Sequence, residues 1–173
     1  MKDFFTTKRL CRAGIIAAVY VTLTYVFASF AYGPLQIRPA EALCILPVFF
    51  PEAIPALYVG CMLSNLASPY FFYDVFIGSL ATLFAAFSSH LVGRFLKKEP
   101  FRLIVSGIFP VLFNATIIPL IIVFLCGGSE GFTSASVAYF TFMGSLALTE
   151  AVWVYGLGTP LYFTMQRLQK KSF

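Results

Sequence analysis

The sequence has few charged residues. Only 11% of its 173 residues are Asp, Glu, Lys or Arg, whereas 60% are hydrophobic. A soluble domain carries about 25% charged and about 45–50% apolar residues, so this chain has too little polar surface to cover a globule in water. The composition predicts an all-α integral membrane protein, with residues 1–173 forming a single transmembrane domain.

Groups that carry catalytic chemistry are also scarce. The chain has one histidine, His90, and its four cysteines are scattered in apolar sequence without the spacing of metal ligands. Neither a nucleophile–base pair nor a glycine-rich phosphate loop is recognisable, so any use of ATP requires a partner subunit. The sequence therefore predicts a protein that is not an enzyme and that binds no metal or cofactor directly.

The basic residues predict the orientation in the membrane. All but Arg38 fall into three groups, namely Lys2, Lys8, Arg9 and Arg12; Arg94, Lys97, Lys98 and Arg102; and Arg167, Lys170 and Lys171. Short loops rich in Lys and Arg stay in the cytoplasm. We therefore expect both termini and the 94–102 loop to be cytoplasmic, and these groups to contact anionic lipids rather than nucleic acid.

This orientation predicts a six-helix bundle. The expected helices cover about 10–32, 40–51, 53–69, 73–95, 103–126 and 137–166. Region 40–69 begins and ends outside, yet its roughly 30 residues are fewer than the roughly 40 that two full spans need. Prolines mark its reversal, and Glu52 is placed to cap the following helix. It is either two short, broken helices or a re-entrant hairpin.

A kinked connection follows the first helix, and it carries the isolated Arg38. Gly33–Pro34 and Pro39 prevent a continuous helix there. Gln36 and Glu41 flank the arginine. Ionisable residues at membrane depth are functional candidates, so this stretch is either a surface loop or the lip of a binding site.

Other polar residues indicate an outward-opening pocket. Three are expected at the outer ends of the third and fourth helices, level with Arg38: Asn65, Tyr70 and Asp74. Glu150 lies roughly 20 Å below the outer start of the sixth helix, and Asn114 lies at a similar depth on the fifth. Together they would form the floor of the pocket, and Trp153 is placed to stack on a ring.

Structural roles are open for most of these residues. Arg38 and Glu41 are spaced for an ion pair that would fix the connection. Asp74 is placed to cap the fourth helix, Asn114 is suited to bridge two helices, and the aromatic residues are suited to packing. A structural role is harder to support for Glu150, because no cation is near it in sequence.

Small residues on the first helix suggest a helix–helix contact. Ala13 and Ala17 are four residues apart, as are Gly14 and Ala18. Small residues at this spacing let another helix approach closely. The pattern fits docking of a partner subunit and equally fits a contact within the bundle.

A longer stretch resembles a known family. Residues Gly33–Leu43, with the pattern Gln-x-Arg-x-x-Glu-Ala-Leu, are followed by Leu46–Pro47 and by Gly60–Asn65. This arrangement is similar to the QueT family, the substrate-binding S components of energy-coupling factor (ECF) transporters for queuosine precursors. The resemblance covers nearly the whole chain, including Asp74, the 78–82 segment, Asn114 and Glu150.

The resemblance implies partners, a substrate and a mechanism. It implies a bacterial cell membrane protein with an outward-facing pocket, which docks through Ala13 and Ala17 to a T component that carries two ATPase subunits. It implies inward delivery of the ligand by toppling. The substrate would be a 7-deazaguanine such as prequeuosine, the aminomethyl compound.

The chemistry of such a ligand allows several assignments. Glu150 or Glu41 would accept from the guanine edge, and Asp74 or the other glutamate would face the ammonium group. The remaining polar contacts would come from Gln36, Asn65 and Asn114, and stacking from Tyr70 or Trp153.

Other functions compete with this one. They are an S component for a different small solute such as a vitamin, and a structural membrane subunit without a ligand. A secondary carrier is less well supported because no internal repeat is evident, and an enzyme is the weakest option.

Overall fold

The computed structural model describes residues 6–32 and 36–171, and within these ranges it contains helices and connections but no strand. The predicted kink at Gly33–Pro34 and the basic residue Lys2 lie outside the described residues. The helices are α1 (Thr7–Val26), α2 (Ala28–Ala31), a 3-10 helix (Pro39–Val48), α3 (Ala53–Asn65), α4 (Phe71–Phe95), α5 (Phe101–Leu125), α6 (Ala135–Gly156) and α7 (Gly158–Lys171). Helices α4 and α5 each contain a π-helical turn, at Asp74–Gly78 and Ile121–Leu125.

Four helical stretches are long and apolar enough to cross a membrane. They are α1, α4, α5 and the α6–α7 stretch Ala135–Lys170. Many large apolar side chains on them are exposed, such as Phe95 and Val26, as expected for surfaces that face lipid rather than water. The chain is therefore an all-helical membrane protein, while six crossings and cytoplasmic termini remain predictions.

The 3-10 helix lies at the centre of the molecule. Every residue of Pro39–Val48 except Leu43 is buried, and the segment packs against α1, α3, α4, α5, α6 and α7. An interior proline, Pro47, disfavours an α-helix because it cannot donate a hydrogen bond and its ring crowds the preceding turn. At 2.0 Å per residue the ten residues reach about 20 Å. The tighter helix thus covers more distance than an α-helix of equal length.

The helix predicted over 137–166 is divided in two. Helix α6 ends at Gly156 and α7 begins at Gly158. Two glycines flank Leu157, and glycine is a poor former of helix interiors. Pro160 follows in the first turn of α7, where its missing N–H costs nothing. The break is therefore local in origin.

The described members of the three basic groups, which exclude Arg38, lie at one end of the molecule. Arg12 near the start of α1 pairs with Glu52 at 2.7 Å between Nη1 and Oε1, so Glu52 makes this ion pair instead of the predicted capping bond. Arg102 donates to the carbonyl oxygen of Val48 at 3.0 Å, and Gln166 of α7 donates to Glu99 at 2.9 Å. The start of α1, the turn before α3, the α4–α5 connection and α7 therefore meet at what we call the basic end.

Gly93 allows α4 to pass close to the end of the 3-10 helix. A Cβ atom on Gly93 would lie 2.6 Å from the carbonyl oxygen of Val48 and 2.8 Å from its Cα. Both are backbone atoms, so Gly93→Ala forces the helices apart and is expected to lower the free energy of unfolding by about 1–3 kcal/mol. The melting temperature of the detergent-purified protein measures this.

Gly144→Ala is the matched control. It lies in α6, where no atom is within 4 Å of an added Cβ, and we expect an unchanged or slightly higher melting temperature. Equal melting temperatures for the two variants would contradict the close packing at Gly93.

Candidate functional site

Polar side chains converge between the start of the 3-10 helix, the end of α3 and the start of α4. This place is about 20 Å from the basic end, at the far end of the 3-10 helix. Seven residues that the sequence predicts to bind substrate are buried at this place or nearby in the bundle. Each is no more than 7% exposed: Gln36, Arg38, Glu41, Asn65, Asp74, Asn114 and Glu150. We call these seven residues the polar cluster.

Glu41 is held by two hydrogen bonds from the protein. The hydroxyl of Tyr20 on α1 donates to Oε1 at 2.5 Å, and the thiol of Cys44 donates to Oε2 at 3.1 Å. The 3-10 conformation brings Cys44 beside Glu41, because residues three apart eclipse in this type of helix. Both carboxylate oxygens are therefore engaged in the fold.

Arg38 is buried without a salt bridge within the described ranges. Its Nε donates to the carbonyl oxygen of Ala31 at 3.2 Å, and its guanidinium carbon lies 5.6 Å from the ring centre of Tyr32. It interacts electrostatically with Asp74 and Glu41. The ion pair with Glu41 that the sequence left open is not formed, and Nη2 has no partner among the residues described.

Asp74 and Asn65 form a linked pair. The amide nitrogen of Asn65 donates to the carbonyl oxygen of Asp74 at 2.7 Å, which lies in the π-helical turn of α4. The hydroxyl of Ser68 donates to Asp74 Oδ2. Asp74 Oδ1 and Asn65 Oδ1 have no hydrogen-bond partner in the described part of the chain. Because Asp74 lies within α4 and not at its N-cap, its side chain is not the helix cap that the sequence allowed.

Asn114 and Glu150 are in direct contact across α5 and α6. Asn114 Nδ2 donates to Glu150 Oε1 at 2.9 Å. Glu150 Oε2 has no partner in residues 6–32 and 36–171. The carboxylate also interacts electrostatically with Glu41 and Arg38, which connects this deeper pair to the rest of the polar cluster.

The polar cluster contains most of the unsatisfied buried polar atoms that the structure describes. Five buried side-chain nitrogen or oxygen atoms lack a partner there, and four belong to the cluster: Arg38 Nη2, Asn65 Oδ1, Asp74 Oδ1 and Glu150 Oε2. Each such atom costs about 1–3 kcal/mol. One donor and three acceptors in one region suit a small polar ligand. No group of three His, Cys, Asp or Glu residues suited to a metal ion occurs in the described ranges.

Gln36 of the polar cluster and the predicted stacking residues Tyr70 and Trp153 are characterised by their burial and position. Gln36 is buried, with a φ of 43° that is unusual for a non-glycine residue. Tyr70 is half-buried and packs on the apolar cluster around Ile118. Trp153 is half-buried on α6, three residues beyond Glu150. Stacking by Tyr70 or Trp153 stays a prediction.

Sequence reasoning missed the residues that hold the carboxylates. These are Tyr20, Cys44 and Ser68, which donate to Glu41 and Asp74. A weak signal existed for Tyr20: the buried residues of α1 are Ile16, Tyr20 and Thr24, and their spacing of four marks one helix face. Two of them carry hydroxyl groups, which indicates a polar neighbour on that face.

The small residues of α1 line a groove beside α3. The groove has a volume of about 290 Å³, and its lining includes Ala13, Gly14 and Ala17. The carbonyl oxygen of Ala17 lies 3.3 Å from an ideal Cβ on Gly60 of α3. An ideal Cβ on Gly14 has no neighbouring atom within 4 Å among the described residues. This face thus contacts α3 and also remains partly open.

Comparison with known proteins supports one family. The family model described as the QueT transporter matches residues 10–167. The "Queuosine precursor transporter QueT" of Lactococcus lactis subsp. cremoris (strain MG1363) is 39% identical over 90 residues, and this alignment spans 50% of the chain and 52% of the relative. The aligned region is thus about half the length of each protein. No solved structure matches. Because the family model covers most of the sequence, the chain belongs to the QueT transporter family.

Proposed function

We propose that this chain is the substrate-capture S component of an ATP-driven ECF importer and that it binds a queuosine precursor, a 7-deazaguanine such as prequeuosine. Its family and the name of its Lactococcus relative support transport of such a compound. The observation that carries the proposal is the set of four unpartnered atoms in the buried polar cluster.

The hydrogen-bonding groups of a deazaguanine complement these atoms. The ring edge offers two donors, N1–H and the exocyclic amine, and a carbonyl acceptor. Carboxylate and amide oxygens accept from N–H groups, and a guanidinium donates to a carbonyl. The binding residues come from the polar cluster, with Tyr70 and Trp153 beside the ring.

The proposed orientation places the basic end in the cytoplasm. Arg12, Arg94 and Arg102 belong to the described basic groups, and such residues favour the cytoplasmic side and contact anionic lipid. The polar cluster then lies toward the outer face of a bacterial cell membrane. In this arrangement six helical segments, two of them short, form the bundle.

Transport requires energy from partners in this proposal. The sequence has no nucleotide-binding motif, so a T component with two ATPase subunits would supply it. The α1 face with Ala13, Gly14 and Ala17 offers close approach for a helix of the T component. Toppling of the S component in the membrane would then carry the ligand inward.

Ligand-induced thermal stabilisation tests the proposed substrate. A ligand that binds only the folded state raises stability with the logarithm of its concentration over its dissociation constant. We expect stabilisation of the detergent-purified protein by prequeuosine or its nitrile analogue and none by guanine. A shift with a vitamin alone would favour an S component for another solute, and no shift with any compound would favour a structural subunit.

Gly14→Leu tests the docking face. The new side chain fills the groove, so we expect the ATPase subunits no longer to co-purify, while stabilisation by the deazaguanine is retained. Gly144→Leu is the matched control, because neither glycine has an atom within 4 Å of an added Cβ and Gly144 lies on α6. Unchanged co-purification with Gly14→Leu would contradict docking through this face.

A further inference from the structure

We propose that Asp74 and Asn65 form a subsite for a protonated primary amine, that Glu150 reads ring N–H donors at a separate, deeper position, and that Glu41 positions the site without contacting the ligand. This assignment rests on the proposed function and deepens it, because it predicts which queuosine precursor binds best.

The unpartnered atoms of the polar cluster are mostly acceptors. Three of the four unpartnered atoms in the cluster are acceptors, Asn65 Oδ1, Asp74 Oδ1 and Glu150 Oε2, and one is a donor, Arg38 Nη2. The orientation of the Asn65 amide follows from its nitrogen donating to the Asp74 carbonyl at 2.7 Å, so Oδ1 is the free acceptor. The complementary ligand therefore carries more N–H donors than acceptors.

The three carboxyl groups differ in how many of their oxygens already accept a hydrogen bond. Glu41 already accepts from Tyr20 and Cys44, one bond on each oxygen. Asp74 and Glu150 each have one engaged oxygen and one free. The two carboxylates available to a ligand are thus Asp74 and Glu150, and Glu41 contributes through its charge.

The surroundings of Asp74 suit an amine better than those of Glu150. An ammonium group has three donors arranged around one atom and needs several acceptors nearby. Asp74 and Asn65 supply two such acceptors, and both side chains lie against Gly78: an ideal Cβ there is 3.7 Å from Asp74 Oδ1 and 3.4 Å from Asn65 Nδ2. Glu150 offers one free oxygen beside the Asn114 amide, which suits N–H donors of a planar ring.

Charge also favours a cationic ligand. The cluster contains three carboxyl groups, Glu41, Asp74 and Glu150, and one guanidinium, Arg38, all buried. Arg38 interacts electrostatically with each of the three. Buried charge without a counter-charge is costly. An ammonium group beside Asp74 reduces the excess of negative charge in the cluster, whereas a neutral nitrile leaves that excess unchanged.

Binding of three related probes tests the assignment: 7-aminomethyl-7-deazaguanine, 7-cyano-7-deazaguanine and 7-deazaguanine. Dissociation constants are measured by calorimetry on the full-length, detergent-purified protein. We expect the aminomethyl compound to bind at least about tenfold more tightly than the nitrile, as charge-assisted hydrogen bonds predict. Asp74→Asn should remove this preference, whereas Glu150→Gln should raise the dissociation constants of all three probes by a similar factor.

Gly78→Ala gives a second test if Asp74→Asn does not fold. The added methyl group makes only contacts of 3.4 Å or more, so the fold tolerates it. Because the methyl group narrows the amine subsite, it should weaken binding of the aminomethyl compound selectively. Glu130 is an exposed loop carboxylate. Glu130→Gln is therefore the control and should leave the dissociation constants of all three probes unchanged.

Equal weakening of the aminomethyl and cyano compounds by Asp74→Asn or by Gly78→Ala would overturn the amine subsite, as would a preference of the wild type for the nitrile. If the wild type binds none of the three probes, the proposed substrate class itself is wrong. The two failures are therefore distinguishable.

Discussion

Glu150→Gln is expected to weaken binding of the deazaguanine by about 10- to 100-fold, because it replaces an acceptor oxygen that the described residues leave free by an amide NH2 group, which is a donor. Glu150 Oε2 has no partner in the described ranges, while Oε1 is fixed by Asn114 at 2.9 Å. The substitution keeps the shape of the side chain, so the loss reports the missing acceptor rather than a change of packing. Calorimetric titration of the purified variant measures the effect.

The same variant should not lose stability. A neutral amide costs less to bury than a carboxylate that shares the guanidinium of Arg38 with two other carboxyl groups, so we expect the ligand-free melting temperature of Glu150→Gln to equal or exceed that of the wild type. Glu130→Gln in the exposed loop provides the matched control. Wild-type affinity in Glu150→Gln would show that this carboxylate is not part of the binding site.

Arg38→Gln is expected to lower the free energy of unfolding by about 3–5 kcal/mol, the usual cost of leaving buried charge uncompensated. Arg38 is 6% exposed and interacts electrostatically with Asp74, Glu41 and Glu150. Removal of the guanidinium leaves these three carboxyl groups without their cation. The melting temperature and the yield of monodisperse protein report the loss.

A double variant separates charge balance from simple loss of packing. If the charge of Arg38 stabilises the fold, Asp74→Asn should recover part of the stability in the Arg38→Gln background, with a coupling of about 0.5–3 kcal/mol. Arg12→Gln, which breaks a partly exposed ion pair with Glu52, should lower the free energy of unfolding by less than Arg38→Gln does. A melting temperature for Arg38→Gln as high as that of Arg12→Gln would contradict the role given to Arg38.

Charge pattern and helix depth predicted much of the arrangement. The basic groups, far apart in sequence, do meet at one end, as the contacts Arg12–Glu52 and Gln166–Glu99 show. Positions counted along two antiparallel helices brought Asn114 and Glu150 to the same level, and the structure places them in hydrogen-bond contact. Both inferences used rules that depend on composition and helical rise alone.

The roles of individual carboxylates could not be predicted in this way. Glu41 and Glu150 were equivalent candidates, and they differ because Tyr20 and Cys44 reach only Glu41. The contact with Tyr20 depends on how α1 packs against the 3-10 helix, and no local pattern records that packing. The 3-10 conformation itself was missed because the apolar pattern of this segment does not distinguish one helix type from another, and Pro47 was interpreted only as a mark of the reversal.

The 3-10 helix also gives the protein a spectroscopic reporter. The Cys44 thiol donates to Glu41 across three residues at 3.1 Å, the spacing at which side chains eclipse in a 3-10 helix. The stretching vibration of an S–H group absorbs where other protein groups do not, and its frequency falls when the thiol donates a hydrogen bond. Since Cys11 is exposed and both Cys44 and Cys61 are buried, isotope exchange into heavy water separates the Cys11 band from those of the buried thiols, and a Cys61→Ala variant leaves Cys44 as the buried thiol that absorbs. Infrared spectra of the unlabelled protein can therefore follow the geometry of its central segment.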